Sequence, residues 1–268
     1  YYDFIVTPLP RRVGVEPNGH QCLSTWRTPV APSSVDRPAR DDARVAELEK
    51  RWPEHPSRGA MTRYLATKGS ENPLLSNFLA WQHAFEEEAE RYPPTEPFRA
   101  ASSVALRTSI GDYVYATSIE VAVPRERVKQ AVNEVIAHAA AMHAQGLHHL
   151  SPYGVRFVRR SAHYLAPEHD RDTCTIEAPI LLGARKQHKD ESTSPAAIEH
   201  MLRSFYDRFE TWPFPARFHW GQRNFVDYQD ARRTYPKFEP VWLPKMRAYN
   251  PFGTFDNAFT DRLGISVG

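Results

Sequence analysis

The chain has only two cysteines, Cys22 and Cys174, among 268 residues. That excludes a disulfide-dense scaffold and any cysteine-rich zinc site. It also lacks an excess of charge of one sign: 34 basic against 32 acidic residues leave a net +2. A global polyanion-binding field is therefore excluded, and nucleic acid is not an expected partner. No apolar run approaches the ~18–20 residues of a membrane span. Glycine is scarce, 12 residues against 23 prolines, and neither G-x-G-x-x-G nor the P-loop pattern occurs, so the chain carries no recognisable phosphate cradle. No Gly-x-Ser-x-Gly elbow, internal repeat or low-complexity tract is present. The opening Tyr1-Tyr2-Asp3-Phe4 is already strand-like, without an initiator Met, a charged leader region or a signal peptide. This reads as a cytoplasmic protein, and as a fragment, a processed chain or one subunit of a split protein.

What is present is an aromatic content of 12% and an apolar content of 41%, enough for a sizeable core in a single domain spanning 1–268. Residues 1–9 alternate as a strand, ended by Pro8 and Pro10, and 20–28 read as its partner. Residues 29–40 read as a loop and 41–52 as a charged helix. The spacing of Leu75, Phe78, Leu79 and Phe85 predicts a helix over 73–92, stopped by Pro93-Pro94. Two strands are predicted within 99–123. A helix then opens at Pro124 and runs to about Ala144 with the stripe Val128, Ala131, Val132, Val135, Ile136, Ala139 and Met142, and Gly146 ends it. Strands follow at 153–159 and 173–182. After a polar loop at 186–194, Ser194 caps a helix with Pro195 in its first turn. A short strand is expected at 216–220, then two short helical stretches and a closing segment. Few βαβ units and short strands predict an α+β fold, a mostly antiparallel sheet flanked by helices.

The histidines are not spaced as metal ligands. His138 and His143 are five apart on one helix, where a shared ion wants four, so no metal is expected. Cys174 sits inside an apolar strand and reads as a buried structural thiol. Three clusters have chemical potential. Arg156, between Val155 and Phe157, needs a partner or a ligand if it is not simply an exposed strand arginine. Thr175 and Glu177 alternate onto one face of the next strand, and Glu177 pairs with Arg156 if their strands are neighbours. Such a pair also fits a purely structural salt bridge. The run from Arg217 to Asn224 packs His219, Trp220, Gly221 and Gln222 into one short stretch. It suits a planar polar ligand or, equally, a turn between core strands.

These clusters, in this order, resemble the C-terminal substrate (cap) domain of the aldonolactone and alditol oxidases, FAD enzymes of the vanillyl-alcohol-oxidase type. The opening Asp3-Phe4-Ile5-Val6-Thr7-Pro8-Leu9 is similar to the first cap strand, and Ile119-Glu120-Val121-Ala122-Val123-Pro124-Arg125-Glu126 to the strand-to-helix junction. Val155-Arg156-Phe157, Tyr164-Leu165-Ala166-Pro167 and Arg171-Asp172-Thr173 resemble a further run. His219-Trp220-Gly221-Gln222 resembles the family's His-Trp-Gly-Lys, and Phe252-Gly253-Thr254-Phe255-Asp256-Asn257 its closing motif. Two positions depart: Gly154 stands where members with a Glu-x-Arg pair carry the acid, and Gln222 replaces the Lys.

The resemblance implies an FAD-binding domain that is not in this chain, supplied upstream or by a partner subunit, and a cap that covers the flavin and shapes the pocket. It implies oxidation of a CH–OH group in a small-molecule alcohol, such as a sugar lactone or polyol, by hydride transfer to FAD. Arg156, Glu177 and His219 are the expected catalytic residues, with Glu177 standing in for the missing acid. Gly154, Thr175, Trp220, Gln222 and Asn224 are the expected substrate or flavin contacts. Two rivals are a cap-like ligand-binding or assembly module that has lost flavin chemistry, supported by Gly154 and Gln222, and an oxidase for large apolar substrates such as sterols, which exposed aromatics lining the pocket would favour.

Overall fold

Apolar–polar alternation at the N-terminus produces a hairpin. Strand β1 (Tyr2–Val6) pairs antiparallel with β2 (Cys22–Trp26), with Phe4 opposite Ser24. Thr7 extends the connection: its N–H donates to the Gln21 carbonyl at 2.9 Å, its hydroxyl accepts from Gln21 N–H at 2.9 Å, and its carbonyl lies 2.7 Å from His20 Nδ1. The computed structural model describes residues 2–10, 19–26, 71–73, 76, 79–80, 114–184 and 194–267. The expected loop at 29–40, helix at 41–52, first strand of 99–123 and loop at 186–193 lie outside them. Of the helix expected over 73–92, Pro73, Ser76, Leu79 and Ala80 are described and are helical.

Four further strands follow: β3 (Val114–Pro124), β4 (Tyr153–Val158), β5 (Thr173–Ala184) and β6 (Arg217–Phe218). The six strands form an antiparallel sheet in the order β2-β1-β4-β5-β3-β6. Five α-helices are described: α1 (Val128–Ala144), α2 (Pro195–Glu210), α3 (Tyr228–Thr234), α4 (Leu243–Tyr249) and α5 (Ala258–Arg262). The α+β class expected from the sequence is observed. One boundary differs. Pro124 closes β3 instead of opening the helix, and a 3₁₀ turn, Arg125–Arg127, precedes α1. Proline's fixed φ suits a strand end as well as a first helical turn. None of the described helices is long and apolar enough to cross a membrane.

The chain divides into two compact units. One comprises Tyr1–Thr117, Ala139–Gly154 and Ala178–Ile198, and the other Ser118–His138, Val155–Glu177 and Glu199–Gly268. In the first, beyond the hairpin, Gly146 takes φ 77°, as a helix C-terminus requires. His143 and His148 meet there, Nδ1 to Nδ1 at 3.0 Å.

The second unit carries the candidate site. Its strands carry apolar residues at every second position. Ile119, Val121, Val123, Val155, Cys174 and Ile176 are buried on one side. In register, Phe218 faces Val121, and its ring lies 4.6 Å from Tyr206 of α2. This apolar side is therefore the one α2 covers, with Met201, Leu202, Phe205 and Phe209 also buried. Each such side chain contributes about 1.5–3 kcal/mol by leaving water. His138 of α1 joins this core, its ring edge-on to Phe205 at 5.4 Å. Burial, ahead of the nearby Arg208 and His200 charges, pushes its pKa down to about 4. Arg208 ties the two helices by pairing with Glu134 at 2.6 Å.

Candidate functional site

The opposite side of the same strands is polar. Period-two alternation places Ser118, Glu120 and Ala122 of β3, Thr173, Thr175 and Glu177 of β5, and Gly154, Arg156 and Val158 of β4 there. Arg156 is the hub. Its Nη2 donates to Glu177 Oε2 at 2.8 Å and its Nη1 to Glu120 Oε2 at 3.0 Å. β5 lies between β4 and β3, and neighbouring strands are about 4.8 Å apart. The guanidinium therefore reaches over one whole strand to meet Glu120. The side chains of Glu120, Glu177 and Arg156 are 9%, 23% and 39% exposed. The cluster is sealed on the β3 side and open toward solvent at the cation.

Two carboxylates on one guanidinium leave a net charge of −1 when all three are ionised. Glu120 bears the cost: burial pushes its pKa above the ordinary 4.5, the Arg156 charge pulls back, the Glu177 charge pushes further up, and the imidazole of His219 opposes. Cys174, on β5 with Glu177, is driven up to about 12 by burial first and the Glu120 charge second.

The second part of the site is the turn after β6. It is hung on β3 by backbone bonds: His219 N–H donates to Glu120 O at 3.0 Å and Arg223 N–H to Ser118 O at 3.1 Å. Gly221 donates its N–H to His219 Nδ1 at 3.1 Å, and a Cβ at Gly221 would stand 3.2 Å from that imidazole. Below, buried Arg217 donates to the carbonyls of Thr234, Pro167 and His169 at 2.8, 3.1 and 2.8 Å. The turn delivers Gln222 to the carboxylate cluster, its Nε2 3.3 Å from Glu177 Oε1. Its Oε1 is buried and has no hydrogen-bond partner among the described residues. Flipping the amide would set that oxygen against the Glu177 carboxylate, so the orientation shown is the electrostatically sound one.

The residues expected from sequence thus separate. Arg156, Glu177 and Gln222 come together. His219, exposed, sits at the edge of the cluster. Thr175 is buried two residues before Glu177, and half-buried Gly154 two residues before Arg156. Trp220 and Asn224 are committed to internal partners. Trp220 Nε1–H donates to Leu165 O at 2.8 Å, with its ring 5.2 Å from Tyr235. Asn224 Nδ2 donates to Gln222 O at 3.0 Å, and its Oδ1 accepts from Arg262 at 3.1 Å. Sequence reading missed Glu120 as a site residue. Its signal was present: a lone carboxylate in the β-branched, apolar run Ile119 to Val123. Among the described residues no group of three or more His, Cys, Asp or Glu is placed to hold a metal ion.

Chemically, the cluster offers a clamped cation with two carboxylates, an amide and a nearby imidazole. That set exchanges hydrogen bonds with hydroxyl groups and with the polar edge of a heteroaromatic ring. No curated protein matches the chain. The family model for D-arabinono-1,4-lactone oxidase matches residues 73–263, a stretch that includes every residue of the cluster, and the chain belongs to that oxidase family.

Proposed function

We propose that this chain is the substrate-binding cap of an FAD-dependent oxidoreductase that oxidises a CH–OH group, with FAD held mainly by a separate domain or subunit. The observation that carries the reading is the Arg156 guanidinium, clamped between Glu177 and Glu120 on the polar sheet face beside Gln222. The donor set fits a substrate hydroxyl and the ring edge of a flavin, whereas its carboxylates are the wrong partners for a pyrophosphate. FAD, when bound, supplies the acceptor for the substrate's hydride. This chain's residues handle the proton and the orientation. Among the described residues, Glu177 is engaged at Oε2 by Arg156 and at Oε1 only by the long Gln222 contact, so Oε1 is the acceptor for a substrate hydroxyl proton. Arg156, its charge already matched, fixes Glu177 and donates to substrate oxygen instead of capturing a carboxylate. This favours a neutral lactone or polyol. Exposed His219 is the alternative proton acceptor.

The rival reading, a cap-like module without flavin chemistry, is favoured by Gly154 and Gln222, where the family's acid and ammonium are missing. One experiment separates the two. The chain is combined with an FAD-bearing domain, and anaerobic flavin reduction is followed by stopped flow in wild type and in Glu177→Gln. A loss on the order of 100-fold with FAD still bound fits a general base. An unchanged rate moves the role to His219. A wild-type complex that binds polyol but never reduces flavin supports the non-catalytic module.

A further inference from the structure

Glu120 belongs to no expected site, yet it holds both halves of the candidate site at once. Its side chain takes Arg156 Nη1 at 3.0 Å, and its backbone carbonyl takes the N–H of His219, the first residue of the turn that delivers Gln222. We infer that Glu120 is a positioning residue: it draws the Arg156 guanidinium across β5 and locks it, so that Glu177 is left with a fixed carboxylate oxygen at the open end of the cluster.

An arginine on β4 with a carboxylate on adjacent β5 already has a short partner in Glu177. Nothing in that pair fixes the second terminal nitrogen. Glu120 supplies a second anchor from the far side of β5, and its side chain is only 9% exposed. A planar guanidinium bonded at two points to two different strands is held against rotation more tightly than one that has lost one of those bonds. Burying a carboxylate is costly, and a purely structural position here would be served by an uncharged side chain such as those of Ser118 and Ala122 on the same face. The charge at 120 is thus explained by its partner. Glu120 touches no reacting atom in this reading, so it acts through Arg156 and Glu177.

The inference rests on the proposed function for its catalytic consequence but not for its structural one, and the test reads both. In the full chain, ¹⁵N NMR of the Arg156 side chain, assigned by its loss in Arg156→Lys, reports guanidinium rotation and proton exchange. Wild type should show separate, slowly exchanging Nη resonances. Glu120→Gln should merge them and speed exchange by about tenfold or more, with the backbone spectrum otherwise retained. In the complex with an FAD domain, Glu120→Gln should lower the rate of flavin reduction by roughly 10–100-fold, the scale of a misplacement near 1 Å, with KM little changed. Glu120→Asp, which keeps the charge one methylene short, should recover part of both readouts. If Glu120→Gln does not fold, Glu120→Asp carries the test by the same two readouts. Unchanged Arg156 resonances in a folded variant overturn the inference. Altered resonances in Glu120→Gln, together with a wild-type complex that never reduces flavin, would uphold Glu120 as the anchor of Arg156 and sink the oxidase reading instead.

Discussion

Replacing Arg156 by Met should destabilise the protein in a pH-dependent way. The guanidinium makes two charge-assisted hydrogen bonds, 3.0 and 2.8 Å long, each contributing about 1.5–3 kcal/mol in a dry setting. With Arg156 39% exposed and Glu177 23%, solvent screens part of this, and a loss of ~2–3 kcal/mol at neutral pH is the reasonable scale. For a unit of this size that is a fall in Tm of about 5–10 °C. The pH dependence follows from Glu120. Its pKa in the folded protein is already above 4.5, with burial the largest cause and Arg156 the main opposing one. Removing Arg156 raises it further. A carboxyl group raised in this way contributes stability that is full below its unfolded pKa and is lost as pH rises through its folded one. The variant loses more of it than wild type does, so the gap between the two should be small near pH 4 and widen toward pH 8. The assay is thermal unfolding of both proteins, followed by circular dichroism across that range. A gap that is absent, or equal at pH 4 and pH 8, would refute the clamp.

Three further outcomes are expected. His138, held at a pKa of about 4 by burial against an ordinary 6.5, contributes stability that is full above pH 6.5 and lost as pH falls toward 4, at most ~3 kcal/mol; His138→Phe should flatten the acid limb of the stability profile, and an unchanged limb would place the titration elsewhere. Cys174, with its thiol pushed up to about 12, should resist alkylation at pH 8 in the native protein and react on denaturation, and native labelling faster than global unfolding would contradict its burial. Gly253→Ala should cost about 2 kcal/mol and Gly146→Ala about 1. Both backbones are left-handed, at φ 66° and 77°, but a Cβ at 253 would stand 2.7 Å from Asp256 Oδ2, with nothing within 4 Å at 146 among the described residues. The Asp256 carboxylate cannot swing aside freely, because Asn250 Nδ2 and Val267 N–H hold it at 2.8 and 3.1 Å. Equal denaturation midpoints for the two variants would refute the steric part.

Much of the fold was legible because its causes are local. The stripe from Val128 to Met142 reports one apolar helix face whatever that face meets. Ser194 accepts a bond from Ala197 N–H at 3.2 Å at the start of α2, as a serine before Pro195 in a first turn should. Alternation in Tyr153 to Val158 placed Arg156 opposite Val155 and Phe157, and alternation in β5 put Glu177 on the side of Thr175. Their pairing was conditional on strand adjacency, which the sheet order supplies. Trp220 and Asn224 read as ligand contacts because aromatic and amide groups in a Gly-containing turn suit either a ligand or the protein's own carbonyls. Leu165, Gln222 and Arg262, which engage them, are not all near in sequence.

The period of the chain by itself determined which residues share a strand face or a helix stripe, because that depends only on backbone geometry within one element. It raised an anion partner for Arg156 beside the reading of an exposed strand arginine, because an unpaired guanidinium is costly only where it is buried. Tertiary structure alone decided which anions those are. Glu120 is 36 residues away from Arg156, and the two meet because β5 is inserted between their strands and the arginine is long enough to cross it. Strand order is set by non-local hydrogen bonding and by which faces the helices cover, and no periodicity in a single segment encodes it. A lone carboxylate in an apolar strand therefore announces that something charged faces it, and only the folded sheet says what.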